Sequence, residues 1–320
     1  MAVDQPPATS VIVPAYREPA LQLCIDRILA QEYDEPFEVI VCVSADDPAE
    51  LPSLREDPRL AVLAFGERVP AATARNRAVD ASRGDLLAFT DADALVAPGW
   101  LAALVRAAEG RHCVAGSIVN GTPDSGPGTV EYLVEFLDLH PDRPVETLWH
   151  GATCNLLVPR SLWDELGPFP EDLDGGEDTQ LTMAARALGR FRFAPDAVVT
   201  HQNRTRWSDV IAHQVSFGRF TARLGRRGSY RWLPLVRYTP LAPVAVLGRL
   251  ASIYTRVARW GRGCRWRAIV FAPGALVVLA GWGWGLVSEG ARLDVRAVTA
   301  ARRARAAGSA RAADSGRPTS

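Results

Sequence analysis

Leu86-Leu87-Ala88-Phe89-Thr90-Asp91-Ala92-Asp93 is an apolar run of strand length that ends in two acids spaced two apart. A short apolar run bounded by polar and turn residues reads as a buried strand. On either side of it the same pattern repeats. Ser10–Pro14, Phe37–Val43 and Leu60–Phe65 are apolar, β-branched runs, and Pro19–Gln31, Ala71–Ser82 and Gly99–Ala108 carry apolar residues at helical spacing. Strands alternating with helices predict an α/β domain with a mainly parallel sheet flanked by helices. Ligands on such sheets lie beyond the carboxyl ends of the strands. That directs attention to the loops after Val13, Val43 and Thr90.

From Cys113 the alternation loosens. Val114–Val119 and Ala152–Val158 read as strands, and Phe191–Phe193 and Val198–Thr200 as two short ones. Thr129–Leu139, Ser161–Leu166, Glu177–Leu188 and Asp209–Leu224 read as helical, and Gly121–Gly128 as a loop. Leu233–Thr255 is apolar but broken by Pro234, Pro240 and Pro243. Ala268–Ser288 runs without one charge, long enough to cross about 30 Å of hydrocarbon, yet Pro273 and four glycines interrupt it. It is therefore a span, a tilted, broken or re-entrant helix, or a piece lying in the interface. The Ala/Arg-rich tail after Leu293 is expected to be disordered.

The chain has 320 residues with 36 basic and 36 acidic side chains, so the net charge is zero. The cancellation hides an asymmetry. Residues 1–200 hold 15 Arg against 32 acids, residues 201–320 hold 21 Arg against 4, and there is no Lys. An acidic front and an arginine-rich back suit a chain whose far end faces an anionic membrane surface. The basic charge is confined to one end and interleaved with long apolar runs, which speaks against a nucleic-acid partner. Five widely spaced cysteines without a C-x-x-C predict free, mostly buried thiols in a reducing compartment. Met1–Thr9 is short, polar and lacks an apolar core, so it does not read as a signal peptide.

Each motif has a plain reading beside the chemical one. Residues two apart on extended backbone project the same way, so Asp91 and Asp93 either hold a hard divalent cation or cap the turn before Pro98-Gly99. Gly175-Gly176-Glu177-Asp178 opens a helix, where acids complement the helix dipole; either carboxylate is also placed to act as a general base. Thr73-Ala74-Arg75-Asn76-Arg77 is a solvated helix face or brings Arg75 to an anion. His201 stands at a strand end and is either structural or a ligand; the two arginines that follow it, Arg204 and Arg206, could clamp a phosphate. Gly281-Trp282-Gly283-Trp284-Gly285 lies inside an apolar run with no strand before it, so it is not a dinucleotide fingerprint, and no P-loop or G-x-S-x-G elbow is present.

Taken together and in this order, the motifs resemble the family 2 glycosyltransferases of the GT-A fold. Ser10-Val11-Ile12-Val13-Pro14-Ala15-Tyr16-Arg17-Glu18 resembles their first strand and nucleotide-contacting loop. Ala74-Arg75-Asn76-Arg77-Ala78 followed by Arg83-Gly84-Asp85-Leu86 through Asp93 resembles the approach to their DxD motif. Gly151–Val158 resembles the acceptor-side strand, and Gly167-Pro168-Phe169 with Gly176-Glu177-Asp178-Thr179-Gln180-Leu181 the G-x-F and E-D segments. The resemblance covers about residues 9–220. Arg17 stands where that family usually has Asn, and Asp46-Asp47 come two residues later than its usual acid pair.

The resemblance implies a Rossmann-like GT-A domain, with a nucleotide-sugar-binding half over 9–115 and an acceptor half over 116–220. A helical, membrane-associated region over 221–290 and a basic tail over 291–320 follow. It implies an inverting transfer of one sugar from a UDP- or GDP-sugar to an acceptor hydroxyl on a lipid-linked or cell-envelope glycan, at the cytoplasmic face of the membrane. Pro14, Tyr16, Glu18, Asp46 and Arg75 would line the donor site with Asp91, Arg204 and Arg206. Asp91, Asp93 and His201 would hold Mg²⁺ or Mn²⁺, and Asp178, with Glu177 beside it, would be the base. The competing expectations are a nucleotidyltransferase, which would need a basic, Gly-rich loop where Pro14–Glu18 stands, and a catalytically dead, membrane-tethered binding module, which would be expected to lack Asp93 or Asp178.

Overall fold

The computed structural model describes residues 7–47, 50–145, 148–172, 175–226 and 241–315. In the first half, β1 (Thr9–Tyr16), α1 (Leu21–Leu29), β2 (Phe37–Ser44), β3 (Leu60–Phe65), α2 (Ala71–Ala81) and β4 (Leu86–Thr90) alternate as the periodicity predicts. Next come β5 (Ala94–Val96), α3 (Trp100–Ala108), β6 (Cys113–Asn120), α4 (Gly126–Glu135), β7 (Asn155–Pro159), α5 (Arg160–Leu166), α6 (Glu177–Ala187) and β8 (Phe191–His201). The chain continues into α7 (Trp207–Arg226), α8 (Ala242–Arg259), α9 (Arg265–Val270) and α10 (Ala272–Ser315).

The strands form one eight-stranded sheet in the order β3-β2-β1-β4-β7-β6-β8-β5. β3, β2, β1 and β4 are parallel, while β7 runs antiparallel to both β4 and β6. β6 and β8 are parallel, and β5 closes the far edge antiparallel to β8. Central β1 is covered on both faces, with Val11, Ile12 and Val13 fully buried, which is why it reads as an unbroken apolar run rather than an alternation. Edge strand β3 leaves Val62 46% exposed. Because β7 sits between β4 and β6, the two halves expected to meet at residue 115 share one continuous sheet.

Three expectations are corrected. Phe191–Phe193 and Val198–Thr200 are one strand, β8, whose register slips opposite Gly116/Ser117. Pro195 has no N–H to give the ladder there, and side chains take over: Ser117 Oγ donates to the Pro195 carbonyl at 2.7 Å and Asn155 Nδ2 to the Ala197 carbonyl at 2.8 Å. Helix α4 begins inside the expected loop, because Ser125 caps it by accepting the Gly128 N–H at 3.2 Å and Pro127 suits the first turn. The apolar run 268–288 is broken, one of the readings that Pro273 and its glycines offered: the helix stops at Phe271 and a new one starts at Ala272. Beyond Leu293, α10 continues to Ser315 where disorder was expected. The first part of the apolar stretch 233–255, up to residue 240, lies outside the described residues, as do Met1–Pro6.

The chain divides into two compact units, residues 1–210 with 250–275, and residues 211–249 with 276–320. Residues 250–275 therefore group with the sheet rather than with a separate region over 221–290. Within the second unit, α7 and α10 approach at glycines: a Cβ on Gly218 would collide with the Trp282 carbonyl oxygen, and one on Gly285 with that of Val215. Arg223 Nε meets Glu289 Oε1 at 2.9 Å across the same pair. The Gly-Trp-Gly-Trp-Gly stretch is thus a helix-packing surface. Among the described residues no single helix is long and apolar enough to cross a membrane; Arg262–Val270 and Ala272–Asp294 pass only taken together.

Candidate active site

The carboxyl ends of β1, β2 and β4 open into a cavity of about 330 Å³. Of the residues named from the sequence, Pro14, Tyr16, Glu18, Arg75, Asp91, Asp93 and Arg204 line it. Asp93 sits in a turn closed by the Ala94 N–H on the Asp91 carbonyl at 3.0 Å, so the two acids are not carried on extended backbone as expected. The Gln202 N–H then holds the Asp93 carbonyl at 2.8 Å, and β5 registers Ala94 against His201. Those two links bring His201, 108 residues further along the sequence, to the DxD turn: its Nε2 lies 3.5 Å from Asp93 Oδ1.

The two acids differ in their partners. Asp91 Oδ1 is held by Arg75 Nη2 at 2.6 Å. Asp93 Oδ1 is buried and accepts no hydrogen bond. Burial raises the Asp93 pKa above the usual carboxylate range, against the pull of His201. A buried carboxylate oxygen without a donor is costly, and a divalent cation shared with His201 Nε2 is a group that this oxygen fits. Of the three residues expected to hold a cation, Asp93 and His201 face one another, while Asp91 is taken by Arg75.

Arg75 lies between two loops of the site. Its Nη1 reaches Glu177 Oε1 at 2.7 Å, while Nη2 holds Asp91, and only 5% of its side chain is exposed. Burial opposes its charge, but the flanking Asp91 and Glu177 carboxylates hold it firmly protonated. Glu177, buried at the start of α6, is therefore committed to an ion pair. Its neighbour Asp178 is held differently: Oδ2 accepts the Thr153 N–H at 3.3 Å and Oδ1 accepts the Thr179 N–H at 2.6 Å. Burial raises the Asp178 pKa as well. Thr182 Oγ1 donates to the Asp178 carbonyl at 2.8 Å and accepts the Gly151 N–H at 3.1 Å, fixing the 151–153 loop to α6. Asp178 and Glu177 do not line the cavity described above.

At the Tyr16 end of the cavity, Tyr16 donates its hydroxyl to Asp46 Oδ2 at 2.7 Å, and Arg17 reaches both Asp46 at 3.1 Å and Glu50 at 2.7 Å. Asp46 therefore stands beside the cavity through Tyr16 rather than lining it. Arg17 has φ 50°, in the left-handed region, where Asn is the better-suited side chain. Arg206 is exposed and is not brought to the cavity; its carbonyl accepts the Asp209 and Val210 N–H groups at the start of α7. Arg204 reaches fully buried Glu131 at 2.5 Å.

Several participants were not picked out from the sequence. Arg68 lies 4.6 Å over the Tyr16 ring, with no motif around it to signal a role. Asn76 clamps the Phe169 backbone in both directions, at 2.9 and 3.0 Å, joining two segments that the sequence shows only separately. Asn203 makes three hydrogen bonds, to the His201 ring, the His201 carbonyl and the Asn120 side chain. The five cysteines are unpaired and four are buried, as their spacing suggests.

The Glycosyl transferase family 2 model matches residues 10–164, which carry every cavity-lining residue except Arg204. The chain is 27% identical over 221 residues to glycosyltransferase AglE of Haloferax volcanii, covering 67% of this chain and 72% of that one. It is 31% identical over 205 residues to the pre-mycofactocin glycosyltransferase of Mycobacterium tuberculosis, where the match covers 58% of this chain and 43% of the relative. Among solved structures, the mannosyltransferase PcManGT from Pyrobaculum calidifontis, in complex with GDP-Man and Mn²⁺, superposes with a TM-score of 0.52 at 22% identity, over 92% of this chain and 87% of that one. The sheet and its flanking helices have the GT-A fold. With residues 10–164 matching the family 2 model and glycosyltransferases among its relatives, the chain is a glycosyltransferase.

Proposed function

We propose that this glycosyltransferase moves one sugar, with inversion, from a UDP- or GDP-sugar to an acceptor hydroxyl, using Mg²⁺ or Mn²⁺. The observation that carries the reading is the donorless Asp93 Oδ1 facing His201 Nε2 at the rim of a cavity lined by Tyr16 and Arg75. Asp93 and His201 would hold the cation, with Asp91 adjoining. When bound, it supplies charge neutralisation to the departing nucleoside diphosphate. Tyr16, with Asp46 behind it, borders the nucleoside, and Arg204 offers a cation on the side of β8. Asp178 takes the proton of the acceptor hydroxyl as that oxygen bonds to the anomeric carbon and the bond to the diphosphate breaks. Burial raises its pKa above the ordinary aspartate value, the direction that makes a carboxylate a better base. Arg75, bound to Glu177 and Asp91, holds the acidic helix and the DxD turn at fixed spacing.

The same reading places the acceptor, a lipid-linked or cell-envelope glycan, at the cytoplasmic face of a membrane. Residues 250–275 contain five arginines and no acid. Helix α9 leaves Trp266 73% and Ile269 61% exposed between them, while Ala268 is buried beneath. Exposed apolar side chains fringed by arginine match an anionic lipid surface.

The test is titration of UDP and GDP, one at a time, with and without Mn²⁺, followed by nucleotide-sugar turnover. Metal-dependent binding of one nucleotide, abolished in D93A, is the expected result. Equal metal dependence in D93A removes Asp93 from the site, and formation of a nucleotide sugar from a sugar phosphate and a nucleoside triphosphate would favour the nucleotidyltransferase.

A further inference from the structure

The two ring nitrogens of His201 face different partners. Nδ1 lies 3.2 Å from Asn203 Oδ1, and Nε2 lies 3.5 Å from Asp93 Oδ1. Which nitrogen carries the hydrogen follows from backbone groups whose roles are fixed. The Thr122 N–H donates to Asn120 at 2.9 Å, so Asn120 turns its carbonyl oxygen that way. The Asn203 atom 2.9 Å from that same oxygen must then be its amide nitrogen. The same nitrogen reaches the His201 backbone carbonyl, which only accepts, at 3.3 Å. Asn203 is left with its side-chain oxygen toward the ring, so His201 Nδ1 is the donor.

In the neutral ring, Nε2 therefore carries a lone pair directed toward Asp93 Oδ1. That oxygen is buried and without a hydrogen bond. Two acceptors face one another with no donor between them, and they cannot drift apart. The Gln202 N–H on the Asp93 carbonyl ties the two backbones at 2.8 Å, and the Phe136 ring packs on the imidazole with centroids 4.4 Å apart. A positive group between them resolves the conflict.

We infer that Asn203 is a positioning residue: by accepting the Nδ1 hydrogen it selects the tautomer of His201 that offers Nε2, beside Asp93, to a divalent cation. The inference rests on the metal-dependent reading proposed above and adds to it the residue that sets the ligand's orientation. Groups that accept the second N–H of a metal-binding histidine typically account for about 10–100-fold in metal affinity.

The experiment is Mn²⁺ titration of the full chain without nucleotide at pH 8, following free Mn²⁺ by electron paramagnetic resonance. N203A is expected to bind about 10–100-fold more weakly than wild type, and N203D, which keeps an acceptor for Nδ1, to recover most of that loss. On the unmodified protein, ¹⁵N spectra of the metal-free chain at the same pH are expected to show the His201 hydrogen on Nδ1, with the resonance assigned by its loss in H201Q. A hydrogen on Nε2 there, or on both nitrogens, overturns the inference whether or not the variants fold. So does N203A binding Mn²⁺ as wild type does, or N203D losing as much as N203A. A wild-type chain that binds no Mn²⁺ would end the metal reading itself, whereas normal binding insensitive to Asn203 would end the inference alone.

Discussion

At the scale of residues, the site turns on how one arginine is shared. Arg75 gives one nitrogen to Asp91 and one to Glu177, which leaves Asp178 as the acid of the pair outside that ion pair. D178N is expected to cut turnover at least about a hundredfold with donor affinity nearly unchanged, since only the proton transfer is lost. Steady-state kinetics beside a donor titration checks it, and near-normal turnover would remove the base assignment. The pH profile gives a second check. A base must be deprotonated, so activity falls as pH drops through its pKa. Burial raises that pKa, so the acid limb lies above the ordinary aspartate value of about 3.9. E177Q should retain this limb and D178N should lose it. The spacing of Asp91 and Asp93 was legible in the sequence. Their unequal partners were not, because Arg75 and Glu177 meet across 102 residues. The left-handed φ of Arg17 was equally hidden, although its replacing a customary Asn was a visible sign.

At the scale of elements, three-residue β5 was missed because so short a strand has no periodicity to read. Yet its register is what sets Asp93 beside His201. Helix α8 was anticipated only as an apolar stretch, and its role emerges from one acid. Asp138, in the turn after α4, is held by Arg143 at 2.5 Å and by Arg256 of α8 at 2.5 Å. All three side chains are at most 16% exposed. Burial alone would raise the Asp138 pKa, but Arg256 and Arg143 outweigh it and hold the carboxyl below its usual range. D138N removes the carboxylate that two buried arginines share and is expected to destabilise the chain by about 3–5 kcal/mol, measured by denaturant unfolding. Because the folded pKa is depressed, this stabilisation is complete above the unfolded value of about 3.9 and is lost as pH falls through the folded value. In D138N that part of the acid-induced loss should vanish. An unchanged unfolding midpoint would show that the clasp contributes nothing.

At the scale of the whole molecule, zero net charge divides into an acidic first 200 residues and an arginine-rich remainder. The α/β alternation and the loops that carry the cavity were readable from periodicity, because buried parallel strands are uniformly apolar. That 268–288 breaks was one reading its proline and glycines offered; the place of the break, at Phe271, was not legible, since hydropathy alone does not mark it. If α9 meets an anionic bilayer, the full chain should sediment with phosphatidylglycerol vesicles and be released as ionic strength rises. At about 1 kcal/mol per arginine, R265Q/R267Q should weaken that binding roughly thirtyfold. Equal binding to neutral vesicles would refute charge as the cause.

The central claim, that glycosyl transfer is organised around a cation held by Asp93 and His201, is tested most directly by diffraction from crystals of the full chain grown with Mn²⁺ and the nucleoside diphosphate it binds. Anomalous scattering should place one manganese within bonding distance of Asp93 Oδ1 and His201 Nε2, with the diphosphate against it. A nucleotide bound in the cavity with no manganese there, or manganese bound elsewhere while those two side chains keep only each other, would contradict the account.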